Sequence, residues 1–453
     1  MIENIAIMKI MGLSALLDIF APAPCAHPPA RFARCSSVRL ALVTGISSSL
    51  LTAATPLLMA GSLPEAGWVA TWTASPESSE PGLIPDLNNQ TVRMIVHTTV
   101  GGNQLRIRLS NAYGTQSLLI GDAHVAVSAS PFIPTIVPGT DHALTFGGQG
   151  TITIPAGAVI LSDPVNFSVT PMTDLSVSLY LPNDTPNATL TEHYYSLEVF
   201  YISPTGDYAG SNQFPDTVPF YSWCLVSSVE VAPQWPTSTP KSSVVALGDS
   251  ITDGVGSTPT LNDRWTDQLA ERLYKSSSVS APSVVNQGIF GNRLLNDITG
   301  QNALARFDRD VLSQAGVRCV IIEEGLNDVA TALVYPNEAV TASQIIWALT
   351  QLIQRGHDQG LTVFGVTLTP FAGSILYSPA GETERQAVNQ FIRTGNAYDG
   401  VLDFDQVVRD PSNPSQILPA YDSGDHIHPN DAGYQAIAQS IDVLPFFSLG
   451  LRR

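Results

Sequence analysis

An α/β domain built on a parallel sheet, preceded by an all-β domain of jelly-roll or β-sandwich type, is the fold class that three features of the sequence predict. From Gly67 to about Val231 the residues alternate with period two: Leu105-Arg106-Ile107-Arg108-Leu109, Leu175 to Leu181 and Thr151 to Ile154 each read as strands apolar on one face. Beyond residue 241 short continuous apolar runs alternate with helical stretches, which implies a sheet covered by helices on both faces. Between the two, Pro233-Gln234-Trp235-Pro236-Thr237-Ser238-Thr239-Pro240-Lys241 is rich in Pro, Ser and Thr and reads as a linker.

Residues 1–66 read as a leader. Arg31, Arg34 and Arg39 precede an uncharged run from Leu40 to Ala60, and small residues with Pro64 follow. A secretory signal and an extracellular protein are expected; an uncleaved membrane anchor is the alternative, since the run is long enough to cross a bilayer. Residues 67–232 form the predicted β-domain, punctuated by Gly-Gly, Pro-Gly and Asn-Asp turn signals. Its four glycosylation sequons, at Asn89, Asn166, Asn183 and Asn187, suit a secreted surface. After the linker at 233–241, residues 242–453 form the predicted α/β domain. Strands are expected at 243–247, 283–287, 317–323, 361–367 and 401–404, and helices at 263–275, 300–314, 339–357, 382–396 and after Asn430.

The 453 residues carry 39 acidic and 21 basic side chains, a net charge of −18, so no cationic surplus exists to neutralise a nucleic acid. A hydrophobic content of 44% argues against disorder. Of four cysteines, Cys25 and Cys35 lie in the leader, and Cys224 and Cys319 alone make no disulfide scaffold. Cys319 lies inside the apolar run Val317-Arg318-Cys319-Val320-Ile321-Ile322 and reads as a small core residue. A monomer is expected.

Chemistry concentrates in four segments. Val244 to Leu247 is apolar enough for a strand buried on both faces, Gly248 ends it without a side chain, and Ser250 follows at the carboxyl edge, where open α/β sheets bind ligands. A serine hydroxyl needs a base to take its proton, and a histidine oriented by a carboxylate is the usual one. Asp425-His426-Ile427-His428-Pro429 supplies such a pair: Asp425 can reach back to Nδ1 of His428 and leave Nε2 for Ser250, with His426 pointing elsewhere. Donors for an oxyanion could come from two further strand ends. Gly291, after Val284-Val285-Asn286-Gln287-Gly288, offers a backbone N–H, and Asn327, after Glu323-Glu324-Gly325, offers a side-chain amide.

In this order the four segments resemble the GDSL, or SGNH, hydrolase family. Gly248-Asp249-Ser250 is similar to its first block, Asn286 through Gly291 to its second, Gly325-Leu326-Asn327-Asp328 to its third and Asp425 through Tyr434 to its last. Ile251 stands where the family's short motif often has leucine. The resemblance runs from Ser243 to about Ile441 and implies a flavodoxin-like three-layer α/β/α domain. It also implies Ser250 as nucleophile, His428 as general base, Asp425 as its orienter, and an oxyanion hole of the Ser250 N–H, the Gly291 N–H and the Asn327 side chain. No cofactor is implied. The segment Gly67-Trp68-Val69-Ala70-Thr71-Trp72-Thr73 resembles the β-domain of one secreted subgroup.

The expected function is a secreted serine esterase that hydrolyses carboxylic acyl esters and deacetylates a carbohydrate; a lipase or lysophospholipase-type esterase is the alternative. No Gly-x-Ser-x-Gly elbow is present, which disfavours an ordinary α/β-hydrolase lipase. Two rivals stand beside it. Asp422, Asp425, His426, His428 and Asp431 offer the donor types of a metal hydrolase, although no His-Glu-x-x-His occurs. A glycan-binding protein with an inactive hydrolase scaffold is the other. Trp68, Trp72, Trp223 and Tyr221 could stack on sugars, but aromatics in β-domains more often fill the core.

Overall fold

The structure, a computed structural model, describes residues 67–79, 84–186, 189–215, 217–232 and 242–449. The expected leader with its apolar run, the expected linker and the sequon at Asn187 lie outside these residues. Among the described residues, no helix is long and apolar enough to cross a membrane.

The longer strands of the first region are β1 (Val69–Thr73), β2 (Gln90–Thr98), β3 (Gly102–Ser110), β4 (Asp122–Val127), β5 (Val165–Val169), β6 (Thr173–Leu181), β7 (Thr191–Thr205), β8 (Val218–Cys224) and β9 (Val226–Ala232). They form two antiparallel sheets, one ordered β1-β9-β3-β5 and the other β8-β7-β2-β6-β4, with short strands at their margins. Period two has the expected result. Leu105, Ile107 and Leu109 of one sheet and Leu175, Val177 and Leu179 of the other, all fully buried, meet in one apolar cluster. Trp72 and Trp223 belong to that core, edge to face with ring centroids 4.9 Å apart, so they are not a sugar platform.

In the second region β10 (Ser243–Gly248), β11 (Ser283–Gly288), β12 (Val317–Glu323), β13 (Thr362–Val366) and β14 (Gly400–Leu402) form an all-parallel sheet ordered β11-β10-β12-β13-β14. Numbered from its own first strand this is 2-1-3-4-5, the flavodoxin-like order. Its helices are α1 (Ser250–Asp253), α2 (Trp265–Ser276), α3 (Ala303–Phe307), α4 (Leu326–Ala330), α5 (Ala342–Asp358), α6 (Pro379–Thr394), α7 (Phe404–Val408) and α8 (Asp431–Ser440). Right-handed crossovers place α2 on one face and, once the strand order reverses, α3, α5 and α6 on the other. The packing agrees: α2 lies against α8, while α5 contacts both α3 and α6.

The expected helix at 300–314 is replaced by α3 and a π-helical turn, Asp308–Leu312. The turn follows directly on α3 and sets Asp310 against Arg306, a buried pair at 3.2 Å. Cys224 and Cys319 are both buried free thiols, one in each apolar cluster.

Register decides where chemistry can sit. Gly248 pairs with Gly288 on one side and Glu323 on the other, so β10, β11 and β12 end level. The three segments leaving them therefore converge. A Cβ on Gly248 would lie 2.2 Å from Oγ1 of Thr252, and one on Gly288 would lie 2.2 Å from the Asp253 nitrogen. Only because both strand ends lack side chains does α1 lie directly across them.

Candidate active site

Ser250 is the first residue of α1. Asp249 caps this single turn, accepting the Ile251 N–H on Oδ1 at 2.9 Å, and Gly254 at φ 107° closes it. A side-chain cap of this kind contributes about 1 kcal/mol, enough to matter in a helix too short to form by itself. The Gly-Asp-Ser sequence is thus a local instruction to end a strand, turn and present a hydroxyl at the sheet edge.

Asp425 builds the opposite side. Its Oδ1 accepts the N–H groups of Ile427 at 3.1 Å and His428 at 2.9 Å, while Oδ2 lies 2.7 Å from Nδ1 of His428. A carboxylate can only accept, so the proton is on Nδ1 and Nε2 presents a lone pair. The Ser250 hydroxyl donates to that lone pair across 2.8 Å. Ser250 and His428 are only 5% and 8% exposed, so bulk water competes little for this bond. Burial would raise the Asp425 carboxyl, but the His428 ring and the two backbone N–H groups outweigh it and hold the group well below the usual carboxylate range. It therefore remains anionic and can stabilise a developing imidazolium.

The donor side differs in part from the sequence expectation. The Ser250 N–H, at a helix N-terminus, has no carbonyl four residues back within the helix. Gly291 takes a left-handed φ of 68°. The amide of Asn327 is already committed: its Nδ2 donates to Asn292 O at 3.0 Å and to Asp249 Oδ2 at 3.2 Å. To serve a substrate oxygen, Asn327 would have to exchange one of these, and the longer bond to Asp249 is the cheaper to give up.

Below the serine lies a buried polar layer that sequence reasoning missed. Arg306 is fully buried. It donates to the Gly248 and Gln287 carbonyls at 2.9 and 2.8 Å, to Glu324 at 3.1 Å, to Asn292 at 2.9 Å and to Ser75 at 3.1 Å. One guanidinium thus ties together the ends of three parallel strands and the β-rich region. Asp328 holds the loop after Gly291 by accepting from Leu294 N and Leu295 N at 2.7 and 3.1 Å, while burial pushes its carboxyl up to about 7. Burial also raises Asp249, to about 6, and Glu323, which receives the Thr252 hydroxyl at 2.9 Å. Asp328 was visible in its motif, but an arginine within Ala303–Phe307 carried no sign of such a role.

The β-rich region reaches the same helix. His193 on β7 lies 3.1 Å from Asp253 Oδ1 through Nε2 and 3.0 Å from the Ser75 carbonyl through Nδ1, with Glu77 at 3.7 Å. Asp253 is therefore more than the loop anchor its position suggests: it is the contact of α1 with the sandwich. His426 pairs through Nδ1 with Asp422 at 2.5 Å. Asp431 takes the N–H and hydroxyl of Thr258. The carboxylates and imidazoles of this segment thus divide among separate partners; among the described residues no three His, Cys, Asp or Glu side chains are grouped to hold a metal ion.

Fold and serine-centred site are those of a carboxylic ester hydrolase. Residues 246–436 match the GDSL-like lipase/acylhydrolase family. Three solved structures similar to this chain each cover less than half of it. A GDSL-like lipase from Bacteroides thetaiotaomicron is 19% identical over 44% of this chain and 84% of its own, with a TM-score of 0.34. A catalytic mutant of an acetylxylan esterase from Geobacillus stearothermophilus is 21% identical over 47% and 96%, with a TM-score of 0.36. The aryl esterase of M. smegmatis is 18% identical over 44% and 95%, with a TM-score of 0.33. A comparison with curated proteins found no match.

Proposed function

We propose that this protein is a secreted serine esterase that removes acetyl groups from carbohydrate through an acyl-enzyme on Ser250. The observation that carries the mechanism is the unbroken chain from Ser250 Oγ to His428 Nε2 at 2.8 Å and from Nδ1 to Asp425 at 2.7 Å. The Ser250 oxygen attacks the ester carbonyl as its proton passes to Nε2, and Asp425 stabilises the imidazolium. The negative charge that moves onto the carbonyl oxygen meets the N–H groups of Ser250 and Gly291 and, once Asn327 turns from Asp249, its amide. Collapse of this intermediate expels the alcohol, which takes the proton from Nε2. Water then repeats the sequence on the acyl-enzyme, His428 accepting its proton, and the acid leaves.

Sugar esters as substrates rest on the secretory character of the leader and the added β-rich region. A second reading, an esterase for longer acyl chains, draws on Ile298, Leu333 and Ile375. These are 43%, 55% and 75% exposed on the connections that leave β11, β12 and β13 at the serine's edge of the sheet, Leu333 in a short 3-10 turn. Ser250→Ala and His428→Ala should each lower kcat on a 4-nitrophenyl ester by roughly 10⁴-fold or more. Substantial turnover by Ser250→Ala in a homogeneous preparation would sink the mechanism. A series from acetate to octanoate beside acetylated oligosaccharides separates the two substrate readings.

A further inference from the structure

Strand β7 does not run straight past the catalytic region. In its pairing with β8, Tyr194 faces Ser222 and the next partners are Val199 and Tyr221, so residues 195–198 leave the ladder with nothing opposite them. Within this excursion Tyr195 and Leu197 take left-handed φ values of 62° and 55°. Bulky residues avoid that region, and two of them within three positions persist only where the surroundings enforce it.

The surroundings come from the α/β region. The guanidinium of Arg264 donates to the Ser196 carbonyl at 2.6 Å, and the Thr260 N–H donates to the Leu197 carbonyl at 3.0 Å. On the sandwich side Glu77 accepts the Tyr194 N–H at 3.3 Å, and the Ser196 hydroxyl donates to the Glu198 carbonyl at 3.0 Å. Held in this way, the excursion lays Tyr195 against Phe290, ring centroids 5.1 Å apart and tilted by 42°, with Tyr194 6.5 Å from Phe290. All three rings are half-buried. Phe290 directly precedes Gly291, the backbone donor facing the reacting carbonyl. Burial first, and then the carboxylates of Asp253 and Asp425, raise the Tyr195 phenol.

We propose that Tyr195, held out by the strained excursion of β7, forms with Phe290 the platform that binds the sugar ring of the substrate, and is a specificity-determining residue supplied by the β-rich region. This rests on the esterase reading above. A pyranose presents a face of C–H bonds to an aromatic ring's negative π-surface, and a half-exposed pair beside the oxyanion donor receives the alcohol part of an ester whose acyl carbonyl lies at Ser250. An excursion stabilised from both regions supplies the rigidity that such a contact needs.

The test compares a monoacetylated disaccharide with ethyl acetate, which shares the acyl group and lacks the ring. Tyr195→Asn removes the aromatic ring while asparagine tolerates the left-handed backbone. It should lower the ratio of kcat/KM for the sugar ester to that for ethyl acetate by about tenfold, mainly through KM. Tyr195→Phe should restore the wild-type ratio. Phe290→Leu, altered from the α/β side, should lower it as Tyr195→Asn does, and decides the matter if the Tyr195 variant does not fold. An unchanged ratio in an enzyme still dependent on Ser250 overturns the inference alone, whereas ester turnover without Ser250 overturns the reading beneath it. An equal loss on octyl acetate overturns the assignment to sugar.

Discussion

His428 and His193 contact the Ser250 helix at its first and last residues, each with an aspartate at hydrogen-bonding distance. His428 and Asp425 are neighbours in sequence, joined at 2.7 Å by a turn that also uses the aspartate's other oxygen. His193 and Asp253 lie 60 positions apart, belong to different regions and meet at 3.1 Å. The decisive difference is the second ring nitrogen. In His428 it faces a hydroxyl, so a proton can arrive and leave; in His193 it faces the Ser75 carbonyl, which only accepts. With Nδ1 bound to that carbonyl and Nε2 directed at a carboxylate, His193 needs a proton on both nitrogens. Although burial would lower its pKa, Asp253 and Glu77 raise it. The same pair of residue types is thus placed to pass a proton in one setting and to tie two layers together in the other.

Breaking each pair should separate these jobs, and the largest effect is expected at His428. Asp425→Asn keeps the shape but loses the charge that orients the imidazole and stabilises its protonated form. Its kcat should fall by about 10³- to 10⁴-fold while its melting temperature stays within a few degrees of wild type. A loss below tenfold would mean that Asp425 does not serve His428. His193→Ala should do the reverse: stability falls by about 3 to 5 kcal/mol, because Asp253 is left buried without its partner, and kcat falls by no more than about tenfold. Urea unfolding monitored by fluorescence, with turnover measured at saturating substrate, distinguishes the two. A His193→Ala enzyme as stable as wild type would show that the tie is unimportant.

The smallest effect sharpens the comparison through pH. Burial holds Glu77 at about 8, Glu198 at about 7, Asp328 at about 7 and Asp249 at about 6 in the folded protein. These values exceed the ordinary carboxylate range, so the folded state binds more protons between about pH 4 and 8. The stability linked to these groups is complete below about pH 4 and is lost as pH rises through 6 to 8. Asp425 has the opposite sign: its contribution is present above the ordinary carboxylate value and is lost only in stronger acid. Melting temperature should therefore be highest at about pH 4 and decline by roughly 5 °C toward pH 8. Scanning calorimetry that found a flat or rising profile over this range would contradict the assignment of protons to the buried carboxyls.

How legible each part was follows from the range of the interactions that make it. The strands Val317–Glu323 and Ser283–Gly288 were readable to within a residue, from the apolar run Cys319 to Ile322 in one and the Val284-Val285 pair followed by a glycine in the other. Asp249, Ser250, Asp425 and His428 were readable because their geometry is made within three residues, by a cap and a turn. The four-residue helix at Ser250 and the excursion after Tyr194 were not, because neither has a period long enough to register, and the excursion is also held by Arg264 and Thr260, distant in sequence.

The sequence by itself determined the two-part architecture and the candidate triad, because period, cap and turn chemistry act locally. Only the tertiary structure decided what Arg306, His193 and Tyr195 do. A buried arginine reads like any helical arginine until two strand-end carbonyls and the Glu324 carboxylate surround it. A tyrosine in a β-strand reads as core until the fold sets it against Phe290, 95 positions away. Asn327 shows the converse: its motif suggested a donor for substrate, and the fold shows that Asp249 and Asn292 already compete for the same two hydrogens.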